Sequence, residues 1–131
     1  REALQPHSRL RLLGALPAQE VQAHMRRAQA LVLPSLVYEM FPRTLVEAAA
    51  CGLPVLAADH GPMPELVAHE RTGLLFAPGD AASLGAAMRR VLDAPDEARR
   101  WGQAARDHQR AHWSAEANYL QLSRIYADLL R

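Results

Sequence analysis

At 131 residues the chain is one domain or part of one, and half of its residues are hydrophobic, enough for a real core. Its net charge of +1 excludes strong electrostatic attraction to nucleic acid or to an anionic membrane. The single cysteine, Cys51, excludes an intrachain disulfide and fits a reducing compartment.

No apolar run approaches the ~20 residues that span a bilayer, and no signal peptide is evident. All 15 basic residues are arginine, which with the many alanines fits a GC-rich bacterial genome. The chain begins at Arg1 without an initiator methionine and is expected to have been cut from something longer.

Residues 1–7 read as the end of a preceding element or a linker. Ser8 to Leu13 alternates and fits a short strand closed by Gly14. Residues 18–29 put Val21, Met25 and Ala28 on one helical face. The run Ala30 to Leu33, ending at Pro34, is too short for a helix and reads as a strand buried on both faces, as in a parallel sheet. A helix is expected from Pro42 to Cys51, with Pro at its first turn and Gly52 as its stop.

Residues 53–58 read as a second buried strand. A turn cluster follows at Asp59 to Pro64, then one or two helical turns at Glu65 to His69. Thr72 to Phe76 reads as the last strand. Asp80 is a good N-cap for a helix over 81–93. Further helices are expected at about 96–111 and, capped by Ser114, at 115–130, where Leu122, Ile125 and Leu129 keep helical spacing. The alternation predicts an α/β fold with parallel central strands and terminal helices.

Pro34 to Pro54 concentrates the chemistry. Glu39 and Glu47 are separated by seven residues, with Pro42 between them. Glu39 then lies on the loop after a strand, where ligands bind in such sheets. Glu47 lies inside the helix. The N–H groups of Arg43, Thr44 and Leu45 are expected to be free and to carry the positive end of the helix dipole, a ready site for phosphate. A carboxylate can grip two adjacent hydroxyls, so the two glutamates could hold sugar hydroxyls on either side of a phosphate. The same residues also allow an ordinary Arg43–Glu47 surface pair, four apart on the helix, and a solvated Glu39.

Residues 34–80 resemble the group 1 (family 4) retaining glycosyltransferases of the GT-B fold. The matches run in register: Pro34-Ser35, Tyr38-Glu39, Phe41-Pro42, the run Glu47 to Val55 (EAAACGLPV), Pro64-Glu65-Leu66, Thr72-Gly73-Leu74-Leu75 and Pro78-Gly79-Asp80. The glutamates form the family's E-x7-E motif. Met40 stands where the family often has glycine, and Pro62 where it often has a second glycine after Gly61. The resemblance extends more loosely over the whole chain, through Leu10 to Leu16 and to Trp113-Ser114.

The resemblance implies a Rossmann-like parallel sheet flanked by helices, as part of a C-terminal GT-B domain. It implies that residues 1–131 lack the first strand-helix unit of that domain and an N-terminal acceptor domain. Glu39 would bind the donor sugar, with the backbone of Met40 and Phe41 close by. Arg43 and Thr44 would offer N–H groups to the diphosphate, Glu47 would hold the ribose, and Ala15 and Leu16 would lie near the base. The implied activity is transfer of a hexose-type sugar from a UDP- or GDP-sugar to an acceptor hydroxyl, with retention and without a metal or other cofactor. No catalytic residue is assigned to this chain, which alone would be inactive. The acceptor, a sugar, a lipid or a small molecule, would be held by the N-terminal domain. Nucleic acid is not an expected partner, and the expected place is the cytoplasm, the cytoplasmic membrane face included. The alternatives are a non-catalytic nucleotide-sugar-binding module and a GT-B nucleotide-sugar epimerase. His60 reads as a solvated turn residue, with a donor-site role as the alternative. His108 and His112, four apart, are too few for zinc.

Overall fold

The computed structural model describes residues 9–130. The expectation for residues 1–7 falls outside them. In chain order the elements are α1 (Ala18–Arg27), β1 (Leu31–Leu33), α2 (Arg43–Ala50), β2 (Val55–Ala58), α3 (Met63–Leu66), β3 (Gly73–Phe76), α4 (Ala81–Asp93), α5 (Pro95–His108), a π-helical turn (Gln109–Trp113) and α6 (Ala115–Leu129). Among the described residues the strands form one parallel sheet in the order β1-β2-β3, with Leu31 opposite Val55 and Val55 opposite Gly73.

The continuous apolar runs form strands because both faces of the sheet are covered. Side chains alternate between two cores. Leu31, Leu33, Val55 and Ala57 face a cluster with Met25 of α1 and Leu45 and Ala48 of α2. Val32, Leu56, Ala58, Leu74 and Phe76 face the opposite cluster, with Ala87 and Val91 of α4 and Ala98 and Trp101 of α5. Arg90 of α4 stacks on Trp101, 5.3 Å from its ring centre, and pairs with Glu70 and Glu97, which ties α4 and α5 to the turn before β3. The chain then crosses to the first face, where Trp113 packs.

Helix α2 ends as its sequence dictates. Gly52 takes a φ of 73°, the left-handed conformation that side chains disfavour. Its N–H donates to the Ala49 carbonyl at 2.9 Å and the Leu53 N–H to that of Ala48 at 3.0 Å, a Schellman turn. Helix α5 rests directly on this turn. A Cβ at Gly102 would run into the Gly52 carbonyl, so glycine is the residue that lets α5 come this close.

In its secondary structure the chain departs from the sequence reading in three places. Residues 9–13 form no strand: among the described residues no ladder partner lies beside them, and Leu12 is 71% exposed. The short helix expected at Glu65–His69 starts earlier, at Met63, because Pro64 is tolerated in a first turn. It ends where Val67 turns extended, at φ −115° and ψ 103°. The helix expected to run to 111 loosens after His108 into the π-helical turn. Helix α6 forms and Ser114 caps it, its Oγ accepting from the Ala117 N–H at 3.1 Å, but Leu122, Ile125 and Leu129 are exposed. Among the described residues no helix is long and apolar enough to cross a membrane.

Candidate functional site

A small cleft, about 20 Å³ in volume, lies beyond the carboxyl ends of β1 and β2. Its walls are Leu33, Ser35, Val37, Glu39 and Pro42 from the loop after β1, and His60, Pro62 and Met63 from the loop after β2. Parallel strands bring these loops to one end of the sheet, the usual place for a ligand. Glu39 thus lies on the cleft, as the sequence predicts, while the neighbouring Met40 side chain is 92% exposed.

Helix α2 begins at the same cleft. Pro42 sits at its N-cap with extended backbone, and no side chain caps the helix. Among the described residues the N–H groups of Arg43 and Thr44 meet no acceptor in the protein. Leu45 differs from expectation: its N–H already donates to the Pro42 carbonyl at 3.0 Å, so it is not free. The helix start therefore offers two open donors and the positive end of its dipole, with the Leu45, Ala48 and Ala49 side chains buried beneath.

Glu47, one turn further on, is half-exposed and lies 3.5 Å from the Arg43 guanidinium. The surface pair that the spacing allows is thus present. An exposed pair of this kind contributes only about 0.2–1 kcal/mol and leaves the carboxylate available to other donors. Ala15 and Leu16 stand in the loop before α1, outside the lining of the cleft.

The cleft is braced from two sides, and neither brace is legible in the sequence. Phe41 meets Trp113 edge to face at 5.6 Å, and Trp113 meets His108 in the same way at 4.7 Å. The turn after α5 thus supports the loop that carries Glu39. Partial burial, and then the neighbouring His112 with its ring 4.5 Å away, hold His108 below its usual pKa. On the other side, His60 bonds to the Ser35 carbonyl. Phe41 and Trp113, like Ser35 and His60, lie far apart in sequence, so local spacing carries no signal of these contacts. Among the described residues no group of three or more histidine, cysteine or acidic side chains is placed to hold a metal ion.

Residues 1–108 match the family model described as glycosyl transferases group 1. The chain belongs to this family. A relative, the glycogen synthase of Mycobacterium tuberculosis, is 45% identical over 96 residues, covering 73% of this chain and 23% of that protein. Among solved structures, the sucrose-phosphate synthase of Thermosynechococcus elongatus superposes with a TM-score of 0.84 at 35% identity, covering 94% of this chain and 31% of that one. HepE of Anabaena, solved in complex with UDP, superposes with a TM-score of 0.76 at 25% identity, over 80% of this chain and 29% of that one. The α/β sheet flanked by helices is thus that of the GT-B glycosyltransferases. The chain spans only 23% of the curated relative's length and 31% of the first of these structures.

Proposed function

We propose that this chain is the donor-binding part of a retaining glycosyltransferase, which moves a hexose-type sugar from a nucleotide-diphosphate sugar to an acceptor hydroxyl. The observation that carries the reading is the junction of Glu39 with the uncapped start of α2, both at the carboxyl end of the parallel strands. A diphosphate at that start would accept from the Arg43 and Thr44 N–H groups, with Glu39 reaching the sugar hydroxyls and Glu47 the ribose. The backbone of Met40 and Phe41 would border the sugar, and Ala15 and Leu16 the base.

In this reading the chemistry is charge stabilisation. As the sugar–oxygen bond breaks, negative charge grows on the leaving diphosphate. Fixed N–H donors and a helix dipole meet it without having to reorganise. Glu39 serves as a hydrogen-bond acceptor, not a nucleophile, and no metal is assigned. Further cations, the acceptor site and the rest of this domain belong to a longer protein of which this chain would be the C-terminal part. UDP is the first nucleotide to try, because HepE was solved with UDP.

The test is a calorimetric titration of the full-length protein with UDP, GDP and ADP, on wild type and on Glu47→Ala. A carboxylate accepting from ribose hydroxyls is worth about 1.5–3 kcal/mol, or roughly 10- to 150-fold in Kd. One nucleotide should bind in preference, and the variant should lose that much. A folded protein that binds none of the three would refute the reading.

A further inference from the structure

One side chain ties together the two loops that form the cleft. His60 Nε2 lies 2.5 Å from the Ser35 carbonyl, 25 residues earlier in the chain. A carbonyl only accepts, so Nε2 carries the hydrogen, in either the neutral or the charged ring. The same imidazole meets the Tyr38 ring edge-on, with centres 5.5 Å apart. Gly61 makes room for that ring: a Cβ there would stand 3.1 Å from Tyr38 Cδ1. Ser35 Oγ in turn accepts from the Val37 N–H at 3.3 Å. His60 therefore holds the segment 35–38 at both of its ends, Gly61 leaves room for the Tyr38 ring, and Glu39 is the next residue.

This loop has little else beneath it. Leu36, Val37, Tyr38 and Met40 are 65%, 71%, 79% and 92% exposed, so burial does not fix their positions. Helix α2 is different, because its inner face is anchored in the core. The glutamates thus differ in what holds them. Glu47 depends on the packed helix, and Glu39 on a loop pinned mainly by His60 and by the Phe41–Trp113 contact.

We propose that His60 is a positioning residue for Glu39: it sets how tightly the donor sugar is held and leaves the grip on the nucleotide unchanged. The proposal rests on the donor-site reading above, in which the sugar lies at Glu39 and the ribose at Glu47.

The experiment compares wild type, His60→Ala and His60→Gln in the full-length protein. Calorimetry measures UDP, UDP-glucose, GDP and GDP-mannose. Hydrogen exchange follows the Val37 amide, which donates to Ser35 Oγ, without ligand. In His60→Ala the exchange should quicken, by about tenfold for one lost hydrogen bond. Affinity for the preferred nucleotide sugar should fall about five- to tenfold, and affinity for the bare nucleotide should stay within about twofold. Glutamine places a side-chain N–H near the same carbonyl and should recover most of both losses. Unchanged exchange in His60→Ala would overturn the clamp. An equal loss for nucleotide and nucleotide sugar would mean that His60 supports the domain at large, which overturns its positioning role. A wild type that binds none of the four ligands removes the donor-site reading and the proposal with it, while the exchange data still report whether the loops are tied.

Discussion

Replacing Gly102 with alanine perturbs the contact on which the end of α2 rests. Alanine is the better helix former by about 0.8–1.0 kcal/mol, so propensity alone would stabilise α5. Packing opposes it. The new methyl would meet the Gly52 carbonyl and approach Pro54 Cδ to 3.1 Å. Overpacking costs about 1–3 kcal/mol, and here the upper end applies, because the obstructing carbonyl belongs to a hydrogen-bonded turn that cannot swing aside. The net loss is then about 2 kcal/mol, which lowers Tm by roughly 6–10 °C in a domain of this size. Gly85→Ala is the internal control. It too lies inside a helix, but its new methyl would meet only the mobile end of Arg89, at 3.5 Å. There the propensity gain stands alone, and Tm should rise by about 3–5 °C. Thermal melts followed by circular dichroism measure both. A Gly102→Ala protein that melts at or above the wild-type temperature would refute the close approach of α5 to the Gly52 turn.

Glu47→Ala should leave stability almost untouched, because the exposed pair with Arg43 and the helix propensity of alanine nearly cancel. Its Tm should lie within about 2 °C of wild type, so that a lost nucleotide affinity cannot be blamed on unfolding. Asp80→Ala should cost about 1 kcal/mol in a denaturant melt: Asp80 Oδ1 accepts from the Ala82 and Ser83 N–H groups at 2.8 and 3.1 Å and caps α4. For His108 the folded pKa lies below its ordinary value, so the unfolded chain binds more protons between the two. Its contribution is fully present above the unfolded pKa of 6.5 and is lost as pH falls through the lower, folded value. Tm should therefore drop on acidification below that point, and His108→Gln should flatten this part of the profile; an unchanged profile would count against burial of the ring.

The parts of this structure that could be read in the sequence share one property: their causes are local. Three apolar runs became three parallel strands because each is short, unbroken and bounded by Pro, Gly or Asp, and the two-faced burial follows from the helices between them. Gly52, Asp80 and Ser114 act on backbone groups within five residues of themselves, and each stops or starts a helix as expected. At both ends of the described chain, a partner that local pattern cannot report decided the outcome. Among the described residues the alternation in 9–13 has no strand beside it and stays irregular. The apolar stripe of α6 is real as a pattern, yet it meets no core within the described residues, since periodicity marks a face and does not say what covers it.

The candidate site divides along the same line. The open N–H groups of Arg43 and Thr44 follow from a proline at a helix start, which any reader of the sequence can find. Leu45 does not follow, because whether the third N–H bonds back to Pro42 depends on how tightly the first turn is wound. The posture of Glu39 depends on His60, Gly61 and Trp113, which reach it from two other parts of the chain. A motif can thus locate the two carboxylates, but only the fold states which of them is rigid. If that distinction holds, substitutions around Glu47 should act mostly through charge, and those around Glu39 mostly through geometry. The first kind should then weaken all nucleotides together, and the second only those that still carry their sugar.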